Sequence, residues 1–193
     1  MEFKPIYYKD RLNIINPQGI AGIVTLWTPV EDITIEENGK RISLRGFLPE
    51  VREKFPQLLK ENSPIAVITS LFGNGLPQML ANMLYNPQIE RIAVTGVDTV
   101  KSGKALENFF NGGVEPIDEE GIRYLRIIGS PSFPLDIQLF PSRFHKLEIK
   151  RFRNEDLEEL LNFVNQPPKR SFTESNRQLI ELSVQKFSDY PSE

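Results

Sequence analysis

The sequence predicts an α/β domain with a mostly parallel sheet at its core and a small β-hairpin near its N-terminus. Three features predict it. Apolar, β-branched runs at Ile20–Trp27 and Pro64–Thr69 are how strands buried on both faces read, and Ile89–Thr95 reads as the next strand. Glycine-rich loops and helix-spaced apolar residues alternate with those runs, and the connections are short, as right-handed strand–helix–strand crossovers require. Residues 32–45 hold two alternating stretches around Asn38–Gly39, a pair that supplies the positive φ angles of a tight hairpin turn.

The elements follow in order. Residues 1–19 are poorly periodic and read as a short strand or an arm packed on the body. Ile20–Trp27 is the first buried strand, ended by Pro29. After the hairpin, Phe47–Lys60 reads as a helix that Pro56 splits in two. Pro64–Thr69 is the next buried strand, Ser70–Gly75 a glycine loop, and Leu76–Tyr85 a helix stopped by Asn86–Pro87. Ile89–Thr95 is a strand, 96–103 a polar loop, and Lys104–Phe110 a helix closed by Asn111-Gly112-Gly113. Ile122–Ile128 reads as a further strand, 129–134 as a rigid loop, and His145–Ile149 as an edge strand. Asn154–Asn165 reads as a helix capped by Asn154. A last helix is expected over Ser171–Phe187. Residues 1–165 thus form the α/β domain. Residues 166–193 form a linker and C-terminal helix, ending like the run-in to a further domain.

Composition sets the outer limits. The chain has 193 residues, a net charge of -3 and no cysteine. Disulfides, thiol nucleophiles and Cys-ligated metals are therefore excluded. A mildly acidic domain lacks the basic surface of non-specific nucleic-acid binding; the one basic cluster, Lys146, Lys150, Arg151 and Arg153, reads as a solvated strand edge or helix approach, ahead of a phosphate patch. No apolar run is long enough for a membrane span and the N-terminus lacks a signal-peptide core, so the expected compartment is the cytoplasm.

In an open parallel sheet, ligands bind beyond the carboxyl ends of the strands. Three loops would meet there: Thr69–Gly75, Thr95–Gly103 and 129–134, with Thr25 and Trp27 ending a fourth strand nearby. All are rich in small or hydroxyl-bearing residues that let a ligand approach the backbone. The 96–105 loop is not a phosphate-binding P-loop: six residues separate its glycines and Ala105 follows Lys104, so the magnesium-binding hydroxyl is missing. Phe72-Gly73-Asn74-Gly75 has too few glycines for a dinucleotide fingerprint. Asp98, in a polar loop after a strand, is placed either to touch a ligand or to form an Asx turn. His145 is the single histidine, without an identifiable partner.

The stretch 62–113 resembles the cobamide-carrying subunit of tetrahydromethanopterin S-methyltransferase. The resemblance rests on Ser63–Thr69, Asn74–Gly75, Leu80–Ile89, Thr95–Gly96, Ser102–Leu106 and Gly112–Val114; its most specific part is Ala81-Asn82 followed by Asn86-Pro87 and Ile89. It implies a Rossmann-like three-layer fold and a bound corrinoid whose cobalt takes a histidine from the loop after Arg91–Gly96. No histidine stands there, so that ligation does not carry over. Val24–Pro29 and Ser102–Leu106 also look like the pterin-binding module associated with thymidylate-synthase-like proteins. That likeness implies a one-carbon carrier, reduced pterin or folate ahead of corrinoid. Asn74, Asp98 and Ser102 would bond its amide edge, and Trp27 and Phe72 would wall it. The site it implies comprises Thr25, Trp27, Thr69, Phe72, Gly73, Asn74, Gly75, Thr95, Gly96, Asp98, Ser102, Gly103, Gly129 and Ser130. The expected function is a carrier-binding module for methyl or hydroxymethyl transfer to pyrimidine nucleotides, beside a partner or fused catalytic domain. Two alternatives stand: a small methyltransferase using Asp98 with Lys101 or Lys104, and a structural module whose loops contact another protein.

Overall fold

The structure is a computed structural model and describes residues 1–153 and 155–182. Its strands are β1 (Asn13–Ile14), β2 (Ala21–Val24), β3 (Ile33–Glu37), β4 (Lys40–Leu44), β5 (Ile65–Thr69), β6 (Arg91–Val94), β7 (Val114–Glu119), β8 (Ile122–Ile127), β9 (Ser130–Leu135) and β10 (Glu148–Arg151). The α-helices are α1 (Phe47–Lys54), α2 (Leu76–Tyr85), α3 (Ser102–Asn111) and α4 (Leu157–Val164).

The strands form three sheets. The largest has the order β1-β5-β2-β6-β10. Its β5–β2, β2–β6 and β6–β10 pairs are parallel, and β1 lies antiparallel on β5. The buried runs of the sequence become β2, β5 and β6, and they need apolar side chains on both faces because both are covered. On one face Val24, Val67 and Val94 pack with Leu80 of α2 and Leu106 and Phe109 of α3. On the other, Ile23, Ile68 and Ala93 pack with Val51 of α1 and Leu160 and Leu161 of α4. Burying each such Leu or Phe contributes about 1.5–3 kcal/mol.

The expectation of a Rossmann-like three-layer domain with a mostly parallel sheet is overturned. Of seven strand pairings, three are parallel and four antiparallel. The β3–β4 hairpin and the β7-β8-β9 sheet are wholly antiparallel. The physical reason is a second hairpin turn. Glu120 and Gly121 have φ of 52° and 78°, the two positive angles of a type I′ turn. They fold Ile122–Ile127 back on β7 and out of the main sheet. Residues 130–135, expected as part of a loop, instead form β9. It is an edge strand, where Pro134 removes no needed ladder bond.

The C-terminal expectations also change. Asn154, the expected cap of α4, lies outside the described residues; Asp156 precedes the helix. Of the helix expected over Ser171–Phe187, residues 183–187 lie outside the described residues. The rest holds only a short 3-10 turn, Glu174–Asn176, capped reciprocally by Thr173 and Asn176. The expected linker is strapped down. Arg91, fully buried, donates to the carbonyls of Gln166 and Pro167 at 2.9 and 2.7 Å. The Glu90 carboxylate accepts the Lys169 and Arg170 amides, each at 2.8 Å. Among the described residues no helix is long and apolar enough to cross a membrane.

Candidate functional site

From β2 the chain crosses to β5 on one side of the sheet and then to β6 on the other, so the loops after β2 and β6 diverge at their carboxyl ends. Ligand crevices form at such a reversal. Thr25, fully buried, donates its hydroxyl to the Thr28 carbonyl at 2.7 Å and lies 3.4 Å from the Ser70 hydroxyl. Leu26 follows with φ 50°, an angle that costs a branched side chain about 1–2 kcal/mol. The twist sends Leu26 into the core and leaves Trp27 at the surface. The Trp27 amide donates to the Val97 carbonyl at 3.1 Å, joining the two loops. Gly96 makes this join possible: its φ is 91°, and a Cβ there would lie 2.1 Å from the Thr25 carbonyl oxygen.

Trp27 and Phe72, 43% and 50% exposed, meet edge to face with ring centroids 4.8 Å apart. Below them opens a cavity of about 400 Å³. It lies on the β2–β5–β6 face of the sheet, between α2 and the N-terminal arm. Val24, Val67 and Ile92 form its floor, with Met79 and Met83 of α2 at the side and Phe3 and Leu12 of the arm above. Gly22, in the middle of β2, presents no side chain to it; a Cβ there would stand 3.0 Å from Ile92 Cδ1. Tyr8, Arg11, Ile33 and Phe72 line it while remaining exposed, so they form its rim.

Two asparagines fasten the arm. Asn82 Oδ1 accepts the amides of Ile6 and Tyr7 at 2.8 and 3.0 Å, and its Nδ2 donates to the Tyr7 carbonyl at 3.0 Å. One turn on, Asn86 accepts the Lys4 amide at 2.7 Å and donates to the Lys4 carbonyl at 3.0 Å. Spaced four apart on α2, both face the arm and bond its backbone as a strand neighbour would.

Of the residues assigned from the sequence, Thr69, Phe72 and Gly75 line the cavity, and Trp27 touches it through Phe72. Thr25, Thr95 and Ser102 are buried. Asn74 is exposed outside the cavity lining, and Gly73 lies beneath the Phe133 ring. Asp98 serves the fold. Its carboxylate accepts the Gly103 and Lys104 amides at 3.0 and 3.1 Å and pairs with Arg151 at 3.2 Å. It thereby fills the α3 N-terminus that an anion would otherwise occupy. Gly129 and Ser130 sit against Asn108, in the C-terminal half of α3, with Asn108 Nδ2 donating to Ser130 Oγ at 2.9 Å. Ser102 and Gly103 begin that helix, roughly 9 Å away along its axis, so Gly129 and Ser130 stand apart from the start of α3, while Phe133 of the same expected loop meets Gly73. Sequence reasoning read residues 1–19 as a strand or an arm packed on the body, but it assigned neither that arm nor Gly22 nor the α2 methionines to a site. The available signals were a glycine inside a buried strand and two asparagines one helical turn apart.

A histidine-ligated corrinoid does not fit these residues. His145 precedes β10, whose first residue pairs with Arg91 at the start of β6. It therefore lies at the end of the sheet opposite the loop after β6, its ring tilted against that of Phe172 with centroids 4.7 Å apart. No protein family, no curated protein and no solved structure matches this chain.

Proposed function

We propose that the chain is a cytoplasmic binding module for a small ligand with a largely apolar body, held in the cavity under the N-terminal arm. The observation that carries this is the cavity itself. At about 400 Å³ it lies in the range of ligand pockets, and alkyl walls with a few polar groups at the mouth are the usual lining of such sites. Gly22 keeps it open at a strand position where Val or Ile would fill it.

A reduced pterin or folate serving one-carbon transfer is the second reading. It is favoured by the aromatic pair Trp27–Phe72, which offers a flat ring an edge and a face at the cavity mouth. Against it, Asp98 is already committed to the α3 amides and Arg151, which leaves the amide edge of a pterin short of partners.

Thermal unfolding of the full chain separates the readings. It would be heated alone and with reduced pterins, folates, cobalamin, pyrimidine nucleotides and medium-chain apolar compounds. A ligand at about 100 times its Kd adds roughly 2.7 kcal/mol, a rise of several degrees. The cavity reading expects a rise with an apolar-bodied ligand that disappears in Gly22→Val. A rise with pterin that Gly22→Val leaves intact, and Trp27→Ala removes, supports the second reading. No rise with any ligand favours a structural role.

A further inference from the structure

The cavity has a chemical polarity of its own. Its floor and walls are alkyl, so a polar heterocycle placed there would lose its hydrogen bonds to water without replacement. Met79 and Met83 give that wall an adaptable shape. Of all the residues lining it, Arg11 alone is charged. Arg11 stands at the rim, exposed, with its guanidinium 5.4 Å from the centre of the Tyr8 ring. Among the described residues it makes no ion pair, although ten such pairs tie other charged side chains together. Thr69, Ser70 and Asn13 add polar groups to the lining.

We propose that the cavity binds an anionic amphiphile, a medium-length acyl carboxylate, with its chain between the sheet and α2 and its head against Arg11. This rests on the reading that the cavity is the ligand site. Size agrees with the class. A cavity of about 150 Å³ accepts benzene. On that scale 400 Å³ takes on the order of 16 non-hydrogen atoms, and dodecanoate has about 14, within that size. Charge placement agrees as well. A carboxylate is costly to bury, and the lone cation sits where the head stays in water while forming a charge-assisted bond.

The test uses the single tryptophan of the chain, Trp27, whose ring touches the Phe72 rim. Dodecanoate, kept below its micelle concentration, is titrated into the full chain while Trp27 emission is followed; 1-dodecanol is the neutral control. Dodecanoate is expected to change the emission saturably. Arg11→Gln is expected to weaken dodecanoate roughly tenfold and leave dodecanol unchanged. Gly22→Val and Met79→Phe fill the cavity from opposite sides. Whichever of them melts cooperatively is expected to bind neither compound.

If dodecanoate and dodecanol bind alike and Arg11→Gln changes nothing, the anionic head is wrong and the cavity reading stands. If neither binds to folded wild-type chain, the amphiphile is wrong. The cavity reading then survives only through another ligand whose binding Gly22→Val abolishes. Binding that persists in both filled variants overturns the proposal and the cavity reading together.

Discussion

A strand residue without a side chain leaves a hole in the layer above it, and Gly22 does so at the centre of the main sheet. A methyl added there would meet Ile92 Cδ1 at 3.0 Å and Val67 Cγ1 at 3.6 Å. Ile92 borders open space and can turn toward it. Gly22→Ala is therefore expected to raise the stability of the ligand-free chain by about 0.5–1 kcal/mol, since glycine in a strand costs backbone entropy. Urea unfolding should show a higher midpoint at an unchanged slope. Gly96 is the opposite case. Its φ of 91° and the 2.1 Å approach of a Cβ to the Thr25 carbonyl leave no room to relax, because both groups are backbone. Gly96→Ala is expected to cost at least roughly 2–3 kcal/mol in the same assay, through separation of the loops after β2 and β6. A loss below about 0.5 kcal/mol would mean that the loops move apart freely.

At the scale of elements, what was legible in the sequence was local, and what was hidden was built from distant parts. The β3–β4 hairpin announced itself through Asn38 and Gly39, which take φ of 53° and 74°. The β7–β8 hairpin uses the same geometry, but its first turn residue is Glu120, a type that seldom adopts positive φ, so the signal was muted. The loops after β2, β5 and β6 could be read from small residues following apolar runs. The cavity could not, because its roof is an arm bound to α2 by residues 75 to 82 positions apart. The Asn82 and Asn86 pair, the most specific element of the family resemblance, has a structural task here, and that task gives a prediction. Asn82→Ala leaves three backbone groups of the arm without their partner. At about 1 kcal/mol for each bond the expected loss is roughly 2–3 kcal/mol. The loss should be local as well, so limited proteolysis should cut within residues 1–12 well before the body opens. Uniform protection in Asn82→Ala would mean that Phe3 and Leu12 hold the arm by packing alone.

On the scale of the whole molecule, the two ends of the described chain meet on the same helix. Arg177 donates to the Tyr85 carbonyl at 2.8 Å and to Asn86 Oδ1 at 3.0 Å, and also bonds the Glu2 carbonyl. The Gln178 amide donates to the Leu84 carbonyl at 3.1 Å. A cation and two donors thus sit at the C-terminus of α2, where the helix leaves carbonyls unpaired and favours positive charge. Residues 166–182 are therefore tied to the body along their length. Their attachment at the opposite edge is pH-sensitive. A hydrogen bond from Lys169 holds the Glu148 carboxyl below the ordinary glutamate range, with desolvation pushing the other way. Since the folded value is the lower one, the contribution to stability is fully present above the unfolded value and is lost as pH falls through the folded one. Both side chains are substantially exposed, 59% for Lys169 and 34% for Glu148, so solvent screening keeps the contribution under about 1 kcal/mol. Wild type is expected to melt up to a few degrees above Glu148→Gln at neutral pH, and the gap should narrow as pH falls through and below the usual carboxylate range. A gap that persists in acid would trace the difference to side-chain packing, and the strap would then rest on the bonds of Glu90 and Arg91 alone.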